Sequence, residues 1–367
     1  MDTKLSFLCP VILLAACVEG DLPETSQPSP TIALNPLPVT DNMQLLFTER
    51  FDDQPDWTST MHTNDNSQET RRGDILPEGW SMIYQGTTWS PETGYPDNHA
   101  SLEILERNAD KALGGYGKSA VFWRESHSLG WNNWASDAQF LKVFDNHYES
   151  LYVEFWIRFS PNWYQRDKYD NWASKVFRAG AWNRSGSIYN GREGAVGPRL
   201  YYNYKRDSYG VRNVLSLYPG PPGQEGPIES GIGGSRNYRG HTDGMGINGT
   251  NPEIPNQVGE GFLKDVPGAV THEQAFGKAE HWTRMSFYMK LNSAPGVADG
   301  IFRQWLNGVQ FHNDEAVTWI SSGAKSEDII GWNYFGIGGN DFFQAYPNEL
   351  RFEDWYAIDD LVVYTDK

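Results

Sequence analysis

The sequence predicts an all-β fold, two antiparallel sheets packed as a sandwich, on three observations: period-two alternation, dense turn punctuation and scarce helical periodicity. Over residues 151–159, Leu151, Val153, Phe155, Ile157 and Phe159 share one face, while Tyr152, Glu154, Trp156 and Arg158 share the other. Successive side chains of a strand point to opposite sides, so the pattern reads as a strand with one face in a core. Residues 283–291 repeat it, with Met285, Phe287, Met289 and Leu291 inward and Arg284, Ser286, Tyr288 and Lys290 outward. Asp299-Gly300 and Asn307-Gly308 bracket a run at 301–306. Asn-Gly suits a type I′ hairpin, whose two central residues need positive φ. Residues 361–364 read as a closing strand, and 101–112 reads equally as a helix or as a strand followed by a turn. Many short strands with one-sided alternation favour two packed sheets.

The organisation follows from composition. Lys4 and the apolar run at 5–16 are too short to span a bilayer and read as a signal segment, residues 1–16. The run closes on Leu14-Ala15-Ala16-Cys17, which resembles the lipobox of bacterial lipoproteins. That resemblance implies lipidation at Cys17 and an exported protein anchored at the bacterial envelope. Residues 17–42 form the lipidated terminus and a Pro/Ser/Thr-rich spacer without period, and 43–367 the sandwich domain. The only other cysteine, Cys9, lies in the segment to be removed, so the domain is expected to hold no disulfide. Residues 219–280, Pro- and Gly-rich, read as a long loop insertion over one edge of the sandwich. Aromatic residues make up 14% of the chain, with 15 Trp and 19 Tyr, more than a core of this size needs.

Charge is unevenly spread. The net charge is −17, which argues against nucleic acid as a partner. Residues 158–212 hold eleven Lys and Arg against four Asp and Glu, a net +7, leaving −24 for the remainder. A basic island in an acidic chain focuses field on a local anion site. For an exported protein, an anionic polysaccharide is the expected partner, met by a monomer.

Several catalytic patterns are absent: no Gly-x-Ser-x-Gly elbow, no His-Glu-x-x-His, no phosphate-binding loop and no zinc spacing. Glu154 is the sole carboxylate on its strand, so a retaining glycosidase pair has no candidate strand. What remains is Lys, Arg and Tyr on neighbouring predicted strands. Lys175 opens KVFRAG, which also carries Arg178, and Arg199 opens RLYYNYK, where Arg199, Tyr201, Asn203 and Lys205 share a face. Tyr218 closes the strand after it. Such a set suits β-elimination from a uronate. Cations stabilise the enolate, and a tyrosine beside a cation can move the proton. Trp156, Arg158, Asn203, Lys205, Arg178 and Tyr288 are candidates to bind the sugar. His241, in SRNYRGHTDG, is a further candidate base, and His272, His281 and His312 are weaker ones.

YVEFWIRFSPNWYQ through SKVFRAG, with WTRMSFYMKLNSAPGVADGIFRQWLNGV, resembles the alginate- and glucuronan-lyase folds related to concanavalin A lectins, nearest to polysaccharide lyase family 14. The resemblance covers residues 150–218 and 281–310. It implies a jelly-roll sandwich and uronate cleavage without a cofactor. By position it implies that Lys175 matches the family's essential lysine, Arg199 its arginine, and Tyr218 one member of its Tyr-x-Tyr pair. Val-Phe-Arg follows Lys175 in place of Leu-Pro, and Leu215 to Leu217 carries no second Tyr; Tyr201 is a candidate substitute. At the two ends, Phe51-Asp52-Asp53 and Ile358-Asp359-Asp360-Leu361 suggest a structural calcium held by Asp52 and Asp360, or simply turn carboxylates. Two functions share this site, a surface polysaccharide lyase and a non-catalytic glycan-binding lipoprotein; a structural envelope protein is the third reading.

Overall fold

The alternation resolves into sixteen strands among the described residues: β1 (Met43–Glu49), β2 (Trp57–Thr58), β3 (Met82–Gln85), β4 (Leu102–Ile104), β5 (Ala120–Arg124), β6 (Ala138–Tyr148), β7 (Ser150–Phe159), β8 (Trp172–Gly180), β9 (Arg199–Asp207), β10 (Gly210–Tyr218), β11 (Thr283–Lys290), β12 (Gly300–Leu306), β13 (Val309–Val317), β14 (Trp332–Gly339), β15 (Asp341–Phe342) and β16 (Asp354–Asp366). The computed structural model describes residues 41–61, 75–85, 99–124, 138–161, 172–184, 188, 197–207, 210–218, 281–325, 329–339, 341–342 and 354–367. All belong to one compact unit, Asn35–Lys367. The other unit, Met1–Leu34, lies outside the described residues, and so do Cys17, the 219–280 insertion and His241.

The strands form two sheets. The first runs β13-β12-β11-β7-β16-β5-β4-β2, with β1 also on β16; the second runs β10-β9-β8-β14-β6-β3, with β15 on β8. Every pairing is antiparallel. The fold is therefore the expected antiparallel β-sandwich of the jelly-roll kind. Residues 101–112 take the strand-then-turn form, β4 followed by a 3-10 turn at Glu106–Lys111. The β12–β13 hairpin turns at Asn307 (φ 49°) and Gly308 (φ 81°), the left-handed pair that a type I′ turn requires.

The core lies between the sheets. From the first come Leu151, Val153, Phe155, Ile157 and Phe159 of β7 and Met285, Phe287 and Met289 of β11, as the alternation requires. From the second come Val176, Phe177 and Ala179 of β8, Leu200 and Tyr202 of β9, and Phe335 and Ile337 of β14. Aromatic rings tie the layers together: Phe177 stacks on Phe287 at 4.8 Å, and Tyr202 meets the same ring at 5.3 Å. Each such ring, once buried, stabilises the fold by about 1.5–3 kcal/mol.

Strand β16 is the spine of the first sheet. One edge pairs with β7; the other is shared, first by β5 along Asp354–Ile358, then by β1 along Leu361–Asp366. The register of β16 on β7 shifts between Asp359 and Val362, and Asp360 is left-handed there (φ 44°).

Candidate functional site

The outer face of the second sheet carries the cationic group. Leu200 and Tyr202 enter the core, so Arg199 and Tyr201 point the other way. On β8 a simple alternation would put Lys175 and Arg178, three residues apart, on opposite faces. The register instead shifts between Lys175 and Phe177, and Val176 and Phe177 both enter the core. This bulge re-aims Lys175 to the side of Arg178. A second bulge, its extra residues on β6 opposite the step from Trp332 to Tyr334, leaves Trp332 in the core and Tyr334 on the same outer face.

Register fixes the neighbours. Arg199 lies opposite Gly180, and Gly180 opposite Tyr334. One step along, Tyr201 lies opposite Arg178, and Arg178 opposite Gly336. Arg178 donates a hydrogen bond to Tyr201, and its guanidinium sits 5.3 Å from the Tyr334 ring centre. Arg178 and Arg199 are each only 5% exposed. Beside them, Tyr334 packs with Met82, Leu141 and Ile188, against the half-buried Val143 and Trp182. Asn333 pins the exit of β8 there, accepting from the Trp182 amide and donating to its carbonyl, both at 2.8 Å.

The two tyrosines are pushed apart electrostatically. Burial alone would raise the Tyr201 phenol, but Arg178, Arg199 and Lys175, with the Arg178 hydrogen bond, outweigh it and hold the group below its ordinary 10.0. Tyr334 goes the other way. Burial pushes it up to about 12 against the pull of Arg178, with Tyr201 adding to the rise. A tyrosine held below its ordinary value beside cations is suited to carrying a proton.

The remaining candidates fall in several places. Tyr218 is in register with Arg199, and Asn203 with Lys175, while Lys205 is in register with Ala173; only the backbone of Tyr218, Asn203 and Lys205 is described. Trp156, Arg158 and Tyr288 are not part of this group. They belong to β7 and β11, whose inward residues fill the core, so they stand on the outer face of the first sheet. There Arg158 Nη1 donates to the Asp110 carbonyl (3.1 Å) beside Trp355. Tyr288 donates to Asp366 Oδ2 (2.8 Å), and Trp156 lies 5.9 Å from the Arg284 guanidinium. Glu154 is on that face too, raised by burial and accepting from Tyr152 and Ser286, each at 2.7 Å. His281 is half-buried, and burial lowers its imidazole.

At the chain ends, Asp52 Oδ1 accepts the Lys118 amide (2.9 Å) and Asp360 Oδ1 faces Arg50 Nε (3.3 Å). Asp359, raised to about 7 by burial, accepts the amides of Leu113 and Asp360. These oxygens are committed to amides and a guanidinium. Among the described residues no three His, Cys, Asp or Glu are arranged to hold a metal ion.

No protein-family model matches the chain, and no curated protein matches it in sequence. Among solved structures it is similar to the alginate lyase Aly36B, a mutant in complex with alginate trisaccharide (12% identity over 76% of this chain and 93% of that one, TM-score 0.41). It is also similar to the alginate lyase vAL-1 from Chlorella virus (15% identity, 71% and 98% covered, TM-score 0.32) and to an endo-1,3-beta-glucanase from Streptomyces sioyaensis (13%, 90% and 98%, TM-score 0.45). At this distance neither substrate nor mechanism transfers. The site's own chemistry has to carry both.

Sequence reasoning missed Tyr334 and Gly180. A usable signal was present: WNYFGIGG places glycines at 336 and 338 beside an otherwise large-residue strand, the mark of a face that something else approaches.

Proposed function

We propose that the chain is a polysaccharide lyase that cleaves a uronate-containing polymer by β-elimination on the outer face of the second sheet. The observation that carries this is Tyr201, a tyrosine whose proton is loosened by Arg178, Arg199 and Lys175 together. The three cations neutralise the substrate carboxylate and stabilise the enolate that forms when the adjacent carbon loses its proton. Tyr201, as phenolate, takes that proton. The electron pair then forms a C=C bond and expels the glycosidic oxygen, to which Tyr201 returns the proton. No atom is left over and no redox partner is needed. Polymers of the alginate or glucuronan type have the required carboxylate and a glycosidic oxygen on the carbon β to it.

The test is ultraviolet absorbance while purified protein meets alginate, glucuronan and mixed uronate polymers, because the product's C=C bond is conjugated to the carboxylate. Rising absorbance on one of them is expected. Flat traces on all, with the polymers still retarded by the protein in a gel, would replace the lyase with a glycan-capturing protein using the same face.

We infer further that Cys17 carries the lipid and that the 19–41 spacer holds the domain at the bacterial envelope; the Leu14-Ala15-Ala16-Cys17 sequence supports this. Radiolabelled palmitate should enter the wild-type protein in a bacterial host and not Cys17→Ser. Equal labelling of both would remove the anchor.

A further inference from the structure

The Tyr334 hydroxyl takes no part in that elimination, yet it is set into the same face. Tyr334 is wholly buried and its hydroxyl has no hydrogen-bond partner among the described residues. A hydroxyl left unmade in a dry place lowers stability, and phenylalanine would fill the same hole without that cost. Its position is particular as well. A Cβ added at Gly180 would lie 2.6 Å from the hydroxyl, so the oxygen occupies the space that the missing side chain leaves. Gly180 pairs with Tyr334 on one side and Arg199 on the other, which aims the hydroxyl across β8 toward the strand of Arg199. Arg178 lies against the ring, and burial keeps the phenol protonated, hence a donor.

We propose that Arg178, Arg199 and the Tyr334 hydroxyl form the seat of the substrate's carboxylate, with Tyr334 as its neutral donor. The proposal rests on the assignment of this face to uronates and adds how the acid is told from its neutral counterpart. Two guanidiniums supply charge; one fixed O–H supplies direction. A sugar carrying a primary alcohol in place of the carboxylate would lose the charge pairing with both guanidiniums and meets the same hydroxyl as a weaker acceptor.

The experiment is calorimetric titration of uronate oligosaccharides, and of the same oligosaccharides with carboxyls reduced to alcohols. It is done on Tyr201→Phe protein, which leaves the ligand uncut, with and without Tyr334→Phe. Removing the Tyr334 hydroxyl should weaken uronate binding by about 10- to 100-fold, weaken the reduced ligand far less, and leave the melting temperature equal or higher. Gly180→Ala, which displaces the hydroxyl, should show the same selective loss. Equal affinity with and without the hydroxyl, or equal loss on both ligands, would overturn the seat, and so would a fall in melting temperature in Tyr334→Phe. The two proposals fail separately. Selective binding by a wild-type protein that never makes unsaturated ends supports the seat and removes the lyase. Normal elimination by Tyr334→Phe with unchanged affinity removes the seat and keeps the lyase.

Discussion

Tyr201→Phe is expected to lower elimination by about 100- to 10,000-fold, the usual worth of a positioned acid–base group, with the melting temperature almost unmoved. The substitution removes one oxygen from a half-buried side chain and keeps the ring, so folding has little to lose. Its pH signature is more specific than the rate loss. The phenolate is the working form, so activity rises with pH through the tyrosine's titration, and the cations place that rise below the ordinary 10.0. Arg178→Met removes the neighbour that both donates to Tyr201 and repels its proton. The rise should then move to higher pH, and the maximal rate should fall as well. Activity retained in Tyr201→Phe would end the assignment, and an unmoved pH profile in Arg178→Met would separate Arg178 from the proton transfer.

The second large effect is on stability, at Glu103. This carboxylate is 1% exposed and serves five partners. Oε1 accepts from the Ala100 amide (3.2 Å) and Arg107 Nη2 (2.9 Å), and Oε2 accepts from Asn108 Nδ2 (2.9 Å) and Trp123 Nε1 (3.0 Å), with His99 Nδ1 at 3.6 Å. Glu103→Ala strands several buried donors at once and should cost about 3–5 kcal/mol, read as a lower urea midpoint at unchanged slope. Burial alone would raise this group, but the hydrogen bonds from His99 and Asn108 and the charges of His99 and Arg107 hold it down at about 2, from an ordinary 4.5. A depressed carboxylate contributes stability above its unfolded value and loses it as the pH falls. The wild-type protein should therefore weaken between about pH 4.5 and pH 2, by about 3 kcal/mol from this group. Glu103→Gln should lack that part of the acid sensitivity. An identical acid slope in Glu103→Gln would show that the network does not depend on the charge.

The sequence carried the sandwich because its signal is local. The inward sets of β7 and β11 follow strict alternation, and Asn307-Gly308 has the chemistry that a type I′ turn favours. Lys175, Arg178, Arg199 and Tyr201 were legible as residue types, and their gathering depends on something alternation hides. The bulges at Val176 and on β6 opposite the step from Trp332 to Tyr334 each mark a change of face, and no residue there announces a bulge. Trp156, Arg158 and Tyr288 face away from the core as alternation indicates, but which of two sheets a strand joins is set by long-range pairing, and β7 and β8, neighbours along the chain, belong to different sheets.

Strand β16 has a consequence for how the chain must acquire its shape. It comes after every other described strand in order, yet it is the one on which β7, β5 and β1 all depend for pairing. Until Asp354–Asp366 arrives, β1 has no partner in the first sheet and β7 lacks a neighbour on one side. Closure therefore joins segments separated by some three hundred residues, the kind of contact that makes folding slow. A nascent polypeptide of this design cannot close its first sheet until Asp354–Asp366 has been made.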